Sequence, residues 1–231
     1  MRTLRGALDR VSAPVIRALL RHRVRRLVLE RWRGLPVVVL PDVLNPVVFR
    51  SGVLLAEALS ALAPAGFRRS NPPRALDMGT GSGVGALALA GAGFSVMAVD
   101  VNPEAVRCAR INALLNHLES AIDVREGDLF EPAGDETFDV IAFNPPFFHG
   151  EPADLHDRAW RAEGVFERFA ALLPRYLAPG GLALVLLSDH GAEERQRAAL
   201  VAAGLEVRVH AARTYLNERL TIWAARHPGA E

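Results

Sequence analysis

Apolar positions along this chain recur with two periods, and the alternation between them sets its organisation. From Arg74 onward, short Val/Leu/Ala-rich runs alternate with stretches whose apolar residues return every three to four positions. The first pattern predicts strands over residues 75–78, 94–99, 122–125, 140–143 and 181–187, with two more near 205–209 and 220–225. The second predicts helices over residues 84–90, 103–116, 166–177 and 193–203. Such alternation means an α/β, Rossmann-like, doubly wound sheet of seven mostly parallel strands, covered on both faces. Only a loop around residues 213–217 separates the last two strands. That is too short for a helical crossover, so the final strand should be antiparallel.

Before Arg74 the pattern changes. Residues 1 to about 33 read as a basic helix: Ser12 caps it, Pro14 lies in its first turn and Gly34 ends it. Ile16, Leu20, Val24, Leu27 and Val28 share one face, and Arg17, Arg21 and Arg25 form a neighbouring row. That row fits an RNA or other polyanion contact, but a solvated helix face is the favoured reading. Residues 35–49, rich in Val and punctuated by Pro36, Pro41 and Pro46, are expected to be an extended segment that folds over a site. A helix follows over residues 51–62, then a linker over 64–73. The expected division is a basic helical extension and lid segment (residues 1–50) and a catalytic α/β domain (51–231), consistent with the length of 231 residues.

Charge and composition exclude more than they select. Lys and Arg together number 27 against 26 acidic residues, so the molecule as a whole is no polyanion binder. All of that basic charge is arginine. A single cysteine, Cys108, leaves no internal disulfide and no Cys-rich zinc site, and reads as a core residue in a reducing, cytoplasmic protein. Neither a transmembrane stretch nor a signal-peptide core is expected, and no His/Cys/carboxylate cluster has metal-ligand spacing.

The chemistry concentrates at strand ends. Asp77-Met78-Gly79-Thr80-Gly81-Ser82-Gly83 follows the first strand of the sheet and opens a helix. Its G-x-G-x-G spacing differs from the dinucleotide fingerprint. Asp77 would repel a pyrophosphate and suits a cationic group, which points to an amino-acid-bearing nucleoside. Asp100, with Val101 and Asn102 behind it, ends the second strand, where a carboxylate is placed to accept from two ribose hydroxyls. Asp128 and Leu129 end the third, where the carboxylate would accept from an adenine amino group. Each acid alone has a turn or cap reading; three in register with a glycine loop are hard to explain structurally.

Asn144-Pro145-Pro146-Phe147 follows the fourth strand. Two consecutive prolines donate no backbone hydrogen bond and stop the strand. The carbonyls of Asn144 and Pro145 and the Asn144 side-chain oxygen remain as acceptors, and Phe147 adds a flat apolar face. Together they form a socket for a planar –NH2 group. Phe49 and Arg50 are candidates to roof it, and the 148–161 insert to border the substrate; His149 and His190 read as loop residues.

With these residues in hand, the chain resembles the class I S-adenosylmethionine-dependent methyltransferases over roughly residues 74–225. LDMGTGSGVGALALA, VDVNPEAVRCARINALLN and FDVIAFNPPF look most like the HemK-type glutamine methyltransferases, which modify the GGQ glutamine of release factors. The resemblance implies S-adenosylmethionine as cofactor, with Asp77, Gly79 and Gly81 along its methionine moiety, Asp100 at the ribose, Asp128 at the adenine, and Asn144 with Pro145 at the nucleophilic nitrogen. HemK-type enzymes usually carry Tyr where this chain has Phe147, a form shared with ribosomal RNA nucleobase methyltransferases. The expected acceptor is therefore a protein glutamine, with an RNA exocyclic amine or a small molecule as alternatives. A module that binds the nucleoside without chemistry is disfavoured by the intact Asn144.

Overall fold

The computed structural model describes residues 26–67, 71–146, 164–215 and 218–229. Phe147, the 148–161 insert and the Arg17/Arg21/Arg25 row lie outside them.

Two short strands come first, β1 (Val28–Trp32) and β2 (Leu35–Val39), followed by α1 (Ser51–Ser60). The main domain then runs β3 (Arg74–Met78), α2 (Val84–Gly91), β4 (Ser95–Asp100), α3 (Pro103–Leu115), β5 (Ile122–Glu126), β6 (Phe138–Phe143), α4 (Val165–Tyr176), β7 (Leu177–Ser188), α5 (Glu193–Ala202), β8 (Glu206–Tyr215) and β9 (Glu218–Arg226). Strand order in the seven-stranded sheet is β5-β4-β3-β6-β7-β9-β8. The pairings from β5 through β7 are parallel, and β9 is antiparallel to both its neighbours, as its short connection requires.

Strand alternation distributes the core over two faces. Ala75, Val96, Ala98, Val140 and Ala142 pack with α1, α2, α3 and the N-terminal hairpin. Leu76, Met97, Val99 and Ile141 pack with α4 and α5. On this second face Phe130 stacks on Tyr176 at 4.3 Å between ring centroids, and Phe143 meets Phe169 at 4.5 Å. Offset aromatic contacts of this kind add about 1 kcal/mol each beyond area burial. The second of them grips Phe143, the last strand residue before Asn144.

The helix expected up to Arg33 is not formed at its C-terminal end: residues 28–32 are a strand, paired antiparallel with β2. Arg33 and Gly34 both have positive φ (49° and 87°), as a two-residue hairpin turn requires, so Gly34 turns a hairpin instead of ending a helix. Helical spacing of Leu27 and Val28 misled because Glu30, a charged residue, occupies a buried strand position. Its carboxylate accepts from the buried Asn45 side chain at 2.9 Å. The hairpin is tied to α3 through side-chain amides. Asn112 bonds both the N–H and the C=O of Val38 at 2.7 Å, and Asn116 bonds the Pro36 carbonyl at 2.9 Å. Cys108 is buried beside the same strand, and burial pushes its thiol up to about 11, which suits a core residue.

Candidate active site

Strand order reverses between β3 and β6, so their carboxyl ends flank the crevice where open α/β sheets bind ligands. Asp77 and Asn144 stand on its two sides, since Asp77 pairs with Ala142 two residues before Asn144. A cavity of about 370 Å³ opens there. It is of the size that takes a small-molecule cofactor.

One wall is the glycine loop. Gly79, Gly81 and Gly83 all have positive φ (62°, 55° and 83°), which accounts for their spacing in sequence. Gly83 faces away from the cavity: a Cβ there would lie 3.1 Å from Ala109, so this glycine lets α2 approach α3. The Thr80 N–H donates to the Val99 carbonyl (3.0 Å) and the Gly81 N–H to the Asp100 carboxylate (2.9 Å), fastening the loop to β4.

Asp77 is 5% exposed. Its carboxylate accepts from the Thr80 hydroxyl at 2.6 Å and from the Ala86 N–H in the first turn of α2, satisfying a donor that the helix leaves open. Burial pushes its pKa up to about 6, with the nearby Asp100 charge adding to it and these hydrogen bonds offsetting part. Gly85 makes the position possible, because a Cβ there would fall 2.5 Å from Asp77 Oδ1. Gly85→Ala is accordingly expected to cost about 1–3 kcal/mol in thermal unfolding through overpacking and to weaken cofactor binding. Gly91→Ala, at the far end of the same helix where nothing lies within 4 Å, should leave both intact.

Asp100 is raised too, chiefly by burial. Its oxygens accept from the Gly81 and Asn102 N–H groups at 2.9 Å and from the Val101 N–H, and the residue lines the cavity. Asn102 caps α3 by accepting from the Glu104 N–H, and donates to the Asp42 carbonyl. That second bond holds residues 42–46 beside the loop, and Asp42, Val43 and Pro46 line the cavity. Val101, Asp128 and Leu129 line it as well. Leu129 does so with φ of 50°, strained for a residue with a branched side chain. Sequence reasoning missed Arg168, which reaches from α4 into the lining and pairs with Asp128 at 2.6 Å. The two are 40 positions apart, and nothing local in the sequence marks the pair.

Asn144 and Pro146 line the remaining wall; Pro145 is buried behind them, and Phe147 lies outside the described residues. The Asn144 Nδ2 donates to Ser51 Oγ at 3.2 Å, while its Oδ1 is buried without a partner among the described residues. An unpaired buried acceptor of this sort costs about 1–3 kcal/mol, which a ligand donor would relieve.

Sheet order, glycine loop and the acids at successive strand ends give the class I methyltransferase fold. The chain belongs to the methyltransferase small domain family, whose profile matches residues 53–208. It is 36% identical over 138 residues to the ribosomal RNA small subunit methyltransferase C of Alcanivorax borkumensis, covering 59% of this chain and 39% of that protein. To the release factor glutamine methyltransferase of Aliivibrio fischeri it is 34% identical over 167 residues, covering 71% of this chain and 54% of that one. The chain thus spans about half the length of these two relatives, or less. The T. thermophilus 16S rRNA methyltransferase RsmC, solved with AdoMet and guanosine, shares the fold with a TM-score of 0.63 at 23% identity, over 87% of this chain and 50% of that one. Among the described residues no helix is long and apolar enough to cross a membrane.

Proposed function

We propose that this enzyme methylates a planar –NH2 nitrogen, foremost a protein glutamine of the release-factor type, at the mouth of the cavity beside Asn144. The observation that carries this is the buried, unpartnered Asn144 Oδ1, an acceptor on the cavity wall where β6 stops. The residues opposite suit S-adenosylmethionine. Asp77 is a buried carboxylate that faces no counter-charge among the described residues and, ionised, would meet the methionine ammonium. Asp100 would take the ribose hydroxyls, and the Asp128 end of the cavity the adenine. The cofactor supplies the methyl group as a sulfonium.

An amide or aniline-like nitrogen is a weak nucleophile because its lone pair is delocalised. Asn144 Oδ1 and the Pro145 carbonyl would accept its two protons and hold the lone pair out of the amide plane. As positive charge develops on nitrogen, its N–H groups become stronger donors, so these acceptors act most in the transition state. The alkylated nitrogen is acidic and releases its proton without a strong base.

The test is methyl-labelled S-adenosylmethionine with two acceptors: a release factor carrying its Gly-Gly-Gln motif, and ribosomal RNA. Label is expected in the release factor, resistant to ribonuclease and absent when the glutamine is replaced by alanine. Label appearing only in RNA would overturn the glutamine reading in favour of a nucleobase amine.

A further inference from the structure

We infer that Ser51 is a positioning residue for the methyl acceptor: its Oγ holds the Asn144 amide nitrogen and so leaves the amide oxygen for the incoming –NH2 group. This rests on the role proposed for Asn144. The two ends of an asparagine amide are nearly the same shape and opposite in hydrogen-bond character. Turned one way, Asn144 offers the acceptor that an –NH2 group needs. Turned the other way, it sets donor against donor. Ser51 Oγ accepts from Asn144 Nδ2 at 3.2 Å, 93 positions away in sequence, and the opposite end of the amide is the unpartnered oxygen.

The placement of Ser51 is built, not incidental. Ser51 is the first residue of α1, behind an N-cap (Arg50) whose side chain makes no capping bond, and its hydroxyl meets Asn144. Ser51 is only 3% exposed. It follows Arg50, a left-handed residue (φ 57°) without a glycine's freedom, and the Ser51 N–H donates to the Phe49 carbonyl at 2.6 Å. Such a conformation costs on the order of 1–3 kcal/mol and persists only where its surroundings hold it, most often at functional sites. Here three contacts do so. The Arg50 guanidinium lies 5.0 Å over the Tyr215 ring, Glu57 of α1 pairs with Arg213 of β8 at 3.4 Å, and Gly52 is so close to Pro46 that a Cβ would lie 2.9 Å from its side chain. The start of α1 is thereby fixed between the β8–β9 hairpin and the lid, with the hydroxyl against the end of β6.

The test combines turnover with a signal that needs no acceptor. In protein labelled with ¹⁵N-asparagine, the Asn144 side-chain –NH2 resonance is identified by its loss in Asn144→Ala. Its protons should be protected from solvent exchange in the wild type and lose that protection in Ser51→Ala. Turnover of the acceptor found by the labelling experiment should fall by up to about 100-fold in Ser51→Ala through misplacement of the acceptor group. KM and the S-adenosylmethionine dissociation constant should stay near wild type, and Ser51→Thr, which keeps the hydroxyl, should recover both protection and kcat. Unchanged protection with kcat within twofold in Ser51→Ala would overturn the inference, as would a parallel loss of cofactor affinity. An Asn144→Ala enzyme as fast as wild type would remove the reading of Asn144 and this inference with it. Dependence on Asn144 without dependence on Ser51 would remove this inference alone.

Discussion

Asn144→Ala is expected to lower kcat by about 100- to 1000-fold, the usual cost of removing one preorganised partner of transition-state charge, with the dissociation constant for S-adenosylmethionine nearly unchanged. Two features of the structure separate these quantities. Asn144 follows β6, whereas the acids proposed to face the cofactor lie at the ends of β3, β4 and β5, so truncating it leaves those proposed contacts in place. The backbone around it is held independently. Pro145 and Pro146 stop the strand whatever precedes them, and Phe143 is gripped by Phe169. Truncation also deletes a buried oxygen that has no partner, so the apoprotein should not lose stability through that atom. Calorimetric titration with S-adenosylmethionine, beside turnover with labelled methyl, reads both quantities. Equal losses in the two would show that the side chain organises the cavity and not the acceptor.

The sheet and most of the site were legible because local signals carry them. Apolar runs of four to six residues bounded by Gly, Pro or Asp and alternating with helical patterns read as strands buried on both faces, and the antiparallel last strand followed from the shortness of its connection. The glycine spacing was legible because positive φ is a backbone demand that the sequence has to answer locally, at Gly79, Gly81 and Gly83. The residues not found are those whose meaning depends on a distant partner. Glu30 occupies a buried strand position where Asn45 meets it, and the sequence alone reads the segment as an amphipathic helix. Arg168 is one arginine of an exposed-looking helix until α4 packs beside Asp128. Ser51 reads as the first residue of a helix until the fold brings the end of β6 to it. One signal for the hairpin was present, Arg33-Gly34 set between two Val- and Leu-rich runs, and reading that glycine as a turn would have located β1.

Asp77→Asn is expected to change two properties in opposite directions. In the apoprotein Asp77 has its pKa raised from 3.8 to about 6, chiefly by burial. The folded state therefore binds a proton more tightly than the unfolded chain, and stability falls as pH rises from about 4 to about 6. Above that window the ionised, buried carboxylate costs roughly 3 kcal/mol, at 1.36 kcal/mol per pKa unit. Asparagine removes the charge and keeps both hydrogen bonds in kind: its oxygen can accept from the Ala86 N–H, and its –NH2 can donate to the Thr80 hydroxyl. The variant should melt several degrees higher than wild type at pH 7.5, by about 2–4 °C per kcal/mol for a chain of this size, and the difference should vanish near pH 4, where wild type is protonated as well. Cofactor binding should respond the other way. The methionine ammonium needs the ionised carboxylate, so wild-type affinity is expected to fall by about tenfold per pH unit below 6, while Asp77→Asn binds weakly with little pH dependence. Thermal unfolding and calorimetric titration between pH 4 and 8 measure the two effects on the same samples. A variant that gains stability yet binds S-adenosylmethionine as tightly as wild type would show that Asp77 serves only the N-terminus of α2 and that the ammonium is held elsewhere.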